Sequence, residues 1–75
     1  MTWNYRIVRY LSADSSEYYC IHQAYYDRND QCDALTENGV DIGGDTIEEC
    51  QHVYEMMAEA FKLPVLDPNT LRDVT

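Results

Sequence analysis

One stretch of this chain has both a marked beginning and a marked end for a helix, and that fixes what the rest can be. Thr46 with Glu49 three residues on fits a capping box, in which the hydroxyl takes a backbone N–H and the carboxylate reaches back. Asp45 with Glu48 repeats the device one residue earlier, and Glu48 and Glu49 complement the positive helix end. Pro64 closes the segment, because it can neither donate its nitrogen nor continue the turn. At about 100° per residue, Ile47, Cys50, Tyr54, Met57, Ala58 and Phe61 fall in one stripe. Glu48, His52, Glu55 and Glu59 fall opposite. The pattern predicts one amphipathic helix that lays its apolar stripe on the preceding structure and turns acids to solvent.

The preceding half alternates with a period of two. Residues 3–11 put Trp3, Tyr5, Ile7 and Leu11 on one face. Ser12 to Ser16 is a turn rich in residues that bond their own backbone. A second strand is expected from Glu17 to Tyr26, with Tyr19, Ile21, Gln23 and Tyr25 on one side and Tyr18, Cys20, His22, Ala24 and Tyr26 on the other. Both sides carry rings, so alternation leaves open which is buried. Asp27 to Asp30 reads as a polar turn leading to a short third strand, about Cys32 to Glu37. Leu63, Val65 and Leu66 flank Pro64 and fit an edge strand or a packed tail. The expected fold class is α+β: a three-stranded antiparallel meander followed by one amphipathic helix packed on one face (βββα), with a short C-terminal edge strand. Residues 1–66 are expected to form a single domain and 67–75 a frayed tail.

Charge narrows the function. Fourteen acids against five bases give a net charge of −9 over 75 residues. Twelve of the acids lie between Asp14 and Glu59, where Arg28 is the single base. Such a balance opposes direct binding to nucleic acid or an anionic membrane and favours a basic protein partner. Acidity that serves solubility alone is the competing reading. No stretch approaches the ~20 apolar residues of a membrane span, and the N-terminus lacks the apolar run of a secretory signal. Three cysteines, an odd number, are expected to be reduced thiols, so a cytoplasmic setting is expected.

The search for chemistry leaves little. Cys20 and His22, two apart on a strand, point the same way and could share a metal; Cys50 and His52, two apart on a helix, cannot. The acidic turn Asp27, Asn29, Asp30, Asp33 has Cys32 where a calcium loop needs glycine and Asn38 where it needs glutamate. Gly43-Gly44-Asp45 precedes a helix start, but Asp45, Glu48 and Glu49 put negative charge where a phosphate would sit. No base, nucleophile and orienting group fall together, so no enzyme and no cofactor is expected. A single helix covers one sheet face, and Tyr18, His22 and Tyr26 are the candidate sheet interface for a homodimer on the other.

Trp3-Asn4-Tyr5-Arg6-Ile7-Val8, Tyr19-Cys20-Ile21-His22, Tyr25-Tyr26-Asp27, Thr36-Glu37, Gly44 to Glu49 and Pro64-Val65-Leu66 together resemble a widespread group of small uncharacterised bacterial proteins. The strand–strand–strand–helix order, with Gly44-Asp45-Thr46 and Glu48-Glu49 at the helix start, is also similar to the N-terminal domain of HicB-type antitoxins. That resemblance implies neutralisation of a small basic RNA-cleaving toxin by covering its surface. This chain lacks the Pro-Asp-Leu-Pro-Gly-type loop of that family, and no DNA-binding tail is expected of it. In size and charge it also resembles phage-encoded inhibitors of host defence, anti-CRISPR proteins among them.

The expected function is a non-enzymatic acidic module that blocks a basic nuclease, toxin or nucleic-acid-binding effector, with Asp41, Asp45, Glu48, Glu49, Glu55 and Glu59 as the binding surface. The alternatives are an assembly module that dimerises through its tyrosine-rich sheet, and a metal or redox protein using Cys20, His22 and Cys32.

Overall fold

The structure is a computed structural model that describes residues 2–74. Three strands, β1 (Thr2–Leu11), β2 (Glu17–Tyr26) and β3 (Cys32–Leu35), form an antiparallel sheet in the order β1-β2-β3. One helix follows, α1 (Ile47–Ala58), and runs into a 3₁₀ turn over Glu59–Lys62. The βββα order is the one expected from the sequence. The third strand ends two residues early, and a bulge separates its pairs Tyr25↔Ala34 and Tyr26↔Cys32.

Each turn is built by an aspartate. Asp14 Oδ1 accepts from the hydroxyls of Ser12 (2.6 Å) and Ser16 (2.7 Å) and from the Ser16 amide (3.0 Å). These bonds, led by that from Ser12, hold its carboxyl far below the usual carboxylate range. Asp27 Oδ1 accepts from the amides of Asn29 (2.8 Å) and Gln31 (3.1 Å). Asp67 Oδ1 does the same for Asn69 (2.7 Å) and Thr70 (3.2 Å). An acceptor on the turn's first carboxylate replaces a ladder bond and sets the reversal. Each turn also holds one residue in the left-handed region, Ser15, Asp30 or Leu71.

The sheet buries both faces. Residues paired across β1 and β2 share a side, so Tyr5, Ile7 and Ile21 lie together and receive Val53 and Met57 of α1, Ala60 of the 3₁₀ turn and Val40 of the preceding loop. On the opposite side, Val8 and Ala24 pack with Leu66 and are flanked by Tyr10, Tyr26, Cys32 and Leu35. Leu66 pairs in parallel with Val8 on the free edge of β1, through Leu66 N to Ile7 O (2.9 Å) and Arg9 N to Leu66 O (3.0 Å). The expected C-terminal edge strand is thus a single bridge. Pro64 lies outside it, where its missing donor costs nothing.

The segment after it is folded and not frayed. Asp67 N bonds Arg72 O at 2.8 Å, Val74 N bonds Val65 O at 2.9 Å, and Asp73 pairs with Leu66. Arg6, buried in the middle of β1, ties this segment down: its guanidinium donates to Pro64 O at 2.7 Å, Tyr26 Oη at 2.8 Å and Asp73 Oδ1 at 3.1 Å. A buried guanidinium needs acceptors for its donors, and the chain supplies them by turning back. Thr75 lies outside the described residues, as does Met1.

Candidate protein-binding surface

All six acids expected to meet a partner are exposed, yet they do not form one row. Asp41 and Asp45 lie in the loop before α1, Glu48, Glu49 and Glu55 on the helix, and Glu59 in the 3₁₀ turn. Glu49 serves the helix start. Its amide donates to the N-cap hydroxyl of Thr46 at 3.1 Å, and its carboxylate accepts from the Asp45 amide at 2.8 Å. The reciprocal bond of the capping box therefore reaches one residue beyond its usual partner, and the Asp45–Glu48 pairing is not formed. Glu55 accepts from Gln51 Nε2 at 3.3 Å, and Glu59 pairs with Lys62 at 3.2 Å. No side chain among the described residues answers Asp41, Asp45 or Glu48.

Spacing groups Glu48, Glu55 and Glu59 with His52 along one side of the helix, at about 100° per residue. Glu49 falls near the core-facing side and does not belong to that row. Its turn toward the helix start follows from this position. The acidic side is therefore narrower than the sequence reading: three glutamates, with Asp41 and Asp45 at the N-terminal end.

The apolar stripe of α1 is corrected more strongly. The sequence placed Ile47, Cys50, Tyr54, Met57, Ala58 and Phe61 against the sheet, but the residues that pack there are Val53, Met57 and Ala60. Ile47 is 82% exposed, Tyr54 56% and Phe61 71%. The helix is rotated so that its outer surface carries two sectors, an acidic one and an apolar one. Val53, Met57 and Ala60 share one side of the helix at about 100° per residue, and it is this side, roughly a quarter turn from the stripe read in the sequence, that meets Tyr5, Ile7 and Ile21.

The sheet interface is also corrected. His22 is 1% exposed and held from both sides. Its Nδ1 donates to the Thr36 carbonyl at 3.0 Å, leaving Nε2 to accept from the Tyr10 hydroxyl at 2.9 Å. Tyr26 is half-buried, with its hydroxyl accepting from Arg6 and donating to Asn4 Oδ1 at 2.8 Å. Of the three candidates Tyr18 alone is open, 47% exposed and stacked on Tyr10 with centroids 5.3 Å apart. The C-terminal segment occupies much of the face that the sequence left uncovered.

With both ring nitrogens engaged, His22 has none left for a metal shared with Cys20. Among the described residues no group of three or more His, Cys, Asp or Glu side chains is placed to hold an ion. The three cysteines are unbridged and half-buried, and burial pushes the Cys32 thiol up, opposite to the shift that activates a nucleophile. No described helix is long and apolar enough to cross a membrane.

What sets the surface of α1 apart is that it exposes both carboxylates and large apolar side chains, and among the described residues Glu48 has no partner for its charge. No family model, curated protein or solved structure matches the chain.

Proposed function

We propose that this chain is a non-enzymatic acidic protein-binding module that blocks a basic partner, a nuclease, toxin or other effector that handles nucleic acid. The single observation that carries the reading is how few of the acids are neutralised within the fold. Among the described residues there are two ion pairs, Arg6–Asp73 and Lys62–Glu59, and the second is exposed at both ends. Exposed pairs of this kind contribute little and release their charges readily. Glu48 and Glu55, with Asp41 and Asp45 at the helix start, keep their field for a second molecule.

The density of charge limits what this surface can imitate. Duplex DNA carries one charge per roughly 1.7 Å of axis, whereas Glu48, Glu55 and Glu59 recur at intervals of about 6–10 Å along a helix axis. The module therefore engages a few lysines or arginines of its partner and not a whole nucleic-acid track. Blocking then requires further contact area from the same face. Unbridged cysteines agree with a cytoplasmic setting, and the HicB-like helix start agrees with an antitoxin-type role.

Affinity capture with the full chain tests this reading. The wild type and E48Q/E55Q/E59Q are immobilised side by side and bound proteins are eluted with a salt gradient. Basic nucleic-acid-handling proteins held by the wild type and lost from the variant support the reading. Identical captures by the two chains contradict it.

A further inference from the structure

Ile47, Tyr54 and Phe61 recur every seven residues and lie uncovered along one line of the helix. At exposures of 82%, 56% and 71%, and with roughly 150–250 Å² for a large aromatic side chain, they open on the order of 350 Å² of apolar surface. The three stand about 10 Å apart along the axis, at ~1.5 Å per residue, so what they form is a line of separate apolar contacts at regular spacing and not one continuous patch. The helical wheel gives three sectors at about 100° per residue. Val53, Met57 and Ala60 face the sheet, Ile47, Tyr54 and Phe61 form the uncovered line, and Glu48, Glu55 and Glu59 lie on its far side from the core.

We infer that this line is the docking site for an amphipathic helix of the basic partner, one carrying apolar residues at heptad spacing and lysine or arginine along one flank. This rests on the reading of the acid row given above and adds the class of segment that the face takes. A straight line about 20 Å long, at ~1.5 Å per residue, suits a second helix. The side chains of each helix enter gaps between those of the other, as in a helix-to-helix seam. Charge selects the occupant: Glu48, Glu55 and Glu59 lie about a third of a turn around the helix from the apolar line, and long basic side chains on that flank of the incoming helix would reach toward them. A second copy of this chain brings the same acid row and a net charge of −9, so like charge opposes it.

The test uses three synthetic helical peptides of about 21 residues, a length that spans the line. The first has leucine at heptad-core positions and lysine elsewhere, the second replaces each lysine by glutamate, and the third keeps the lysines and replaces each leucine by serine. Each is titrated calorimetrically into the full wild-type chain, I47S/Y54S/F61S, E48Q/E55Q/E59Q and E17Q/D33N/E37Q, the last losing the same charge elsewhere. The leucine–lysine peptide is expected to bind the wild type best and to lose about tenfold or more on the serine variant. It should lose more on the helix glutamine variant than on the control.

All three replaced residues lie at the surface, so the serine variant should keep its thermal midpoint. Tyr54→Ser is measured beside it and should lose about threefold. Equal binding of the leucine–lysine peptide to the wild type and to Tyr54→Ser or the serine variant overturns the docking site. If the lysine–serine peptide then still discriminates the helix glutamines from the control, the acid row stands without it. If neither lysine peptide makes that distinction, the acid row falls as well. Sedimentation of the wild type as a dimer that the serine variant abolishes would assign the line to a second copy and overturn the inference.

Discussion

Arg6 and Glu48 are both charged, and the fold treats their surroundings in opposite ways. Under the C-terminal segment, Arg6, Tyr26, Asn4 and Asp73 form one connected set, and His22 is closed between Tyr10 and Thr36. Among the described residues no buried side-chain nitrogen or oxygen lacks a partner. Along the outside of α1 and the 3₁₀ turn, Glu48 has no answering group among the described residues, and Ile47, Tyr54 and Phe61 each stay more than half exposed. The first region consists of polar groups satisfied by the chain itself, which is what holds a thin core together. The second leaves both charge and apolar area to the outside. The contrast teaches that the net charge of −9 is not one feature. Asp14, Asp27, Asp67, Asp73 and Glu49 build the fold, and the remaining helix acids do not.

If that division is right, substitutions on the two sides separate stability from binding. The largest effect is expected for Arg6→Met, which leaves Pro64 O and the Asp73 carboxylate without their donor. It should lower stability by about 3 kcal/mol, and each kcal/mol moves the thermal midpoint of a domain this size by about 4–8 °C. Calorimetry measures it; an unchanged midpoint would break the comparison from the structural side. Asp27→Ala removes one turn acceptor and should cost about 1 kcal/mol in urea unfolding, with the slope unchanged. Tyr54→Ser and Glu55→Gln should each stay within about 0.5 kcal/mol of wild type, because neither side chain is buried.

The smallest effect sharpens the same contrast through pH. The Asp14 carboxyl is held low in the folded state, mainly by Ser12, so its stabilisation is complete above the unfolded value of about 3.9. It is lost as pH falls below that toward the folded value. Asp14→Asn should flatten the acid limb of an unfolding profile and leave the limb above pH ~5 parallel to wild type. A variant profile parallel to wild type throughout would show that the Ser12 and Ser16 bonds do not matter in solution.

Much of the fold is legible in the residues, because the signals are local. Alternation from Trp3 to Leu11, the Thr46 cap and the Pro64 stop each follow from the chain's own geometry within a few positions. Asp14 and Asp27 stand in segments whose composition marks turns, each two residues before an amide it accepts from, while Asp67 does the same in a segment that reads in sequence as a frayed tail. They are submerged in sequence by the count of acids. Two things depend on distant partners and could not be read. The rotation of α1 depends on which rings β1 and β2 offer, and a stripe of six apolar residues does not say which edge is left outside. The folding back of Asp67 to Val74 depends on Arg6, more than fifty residues earlier, whose place among apolar neighbours reads in sequence as an outward-facing base.

The central claim is that the outside of α1, and not acidity in general, is the binding surface. Amide chemical-shift mapping of the full chain during titration with the leucine–lysine peptide tests it most directly. The account predicts shifts concentrated on Ile47, Glu48, Tyr54, Glu55 and Phe61, with Asp33 and Glu37 unmoved. Shifts spread over Asp33, Glu37 and the helix alike would contradict it.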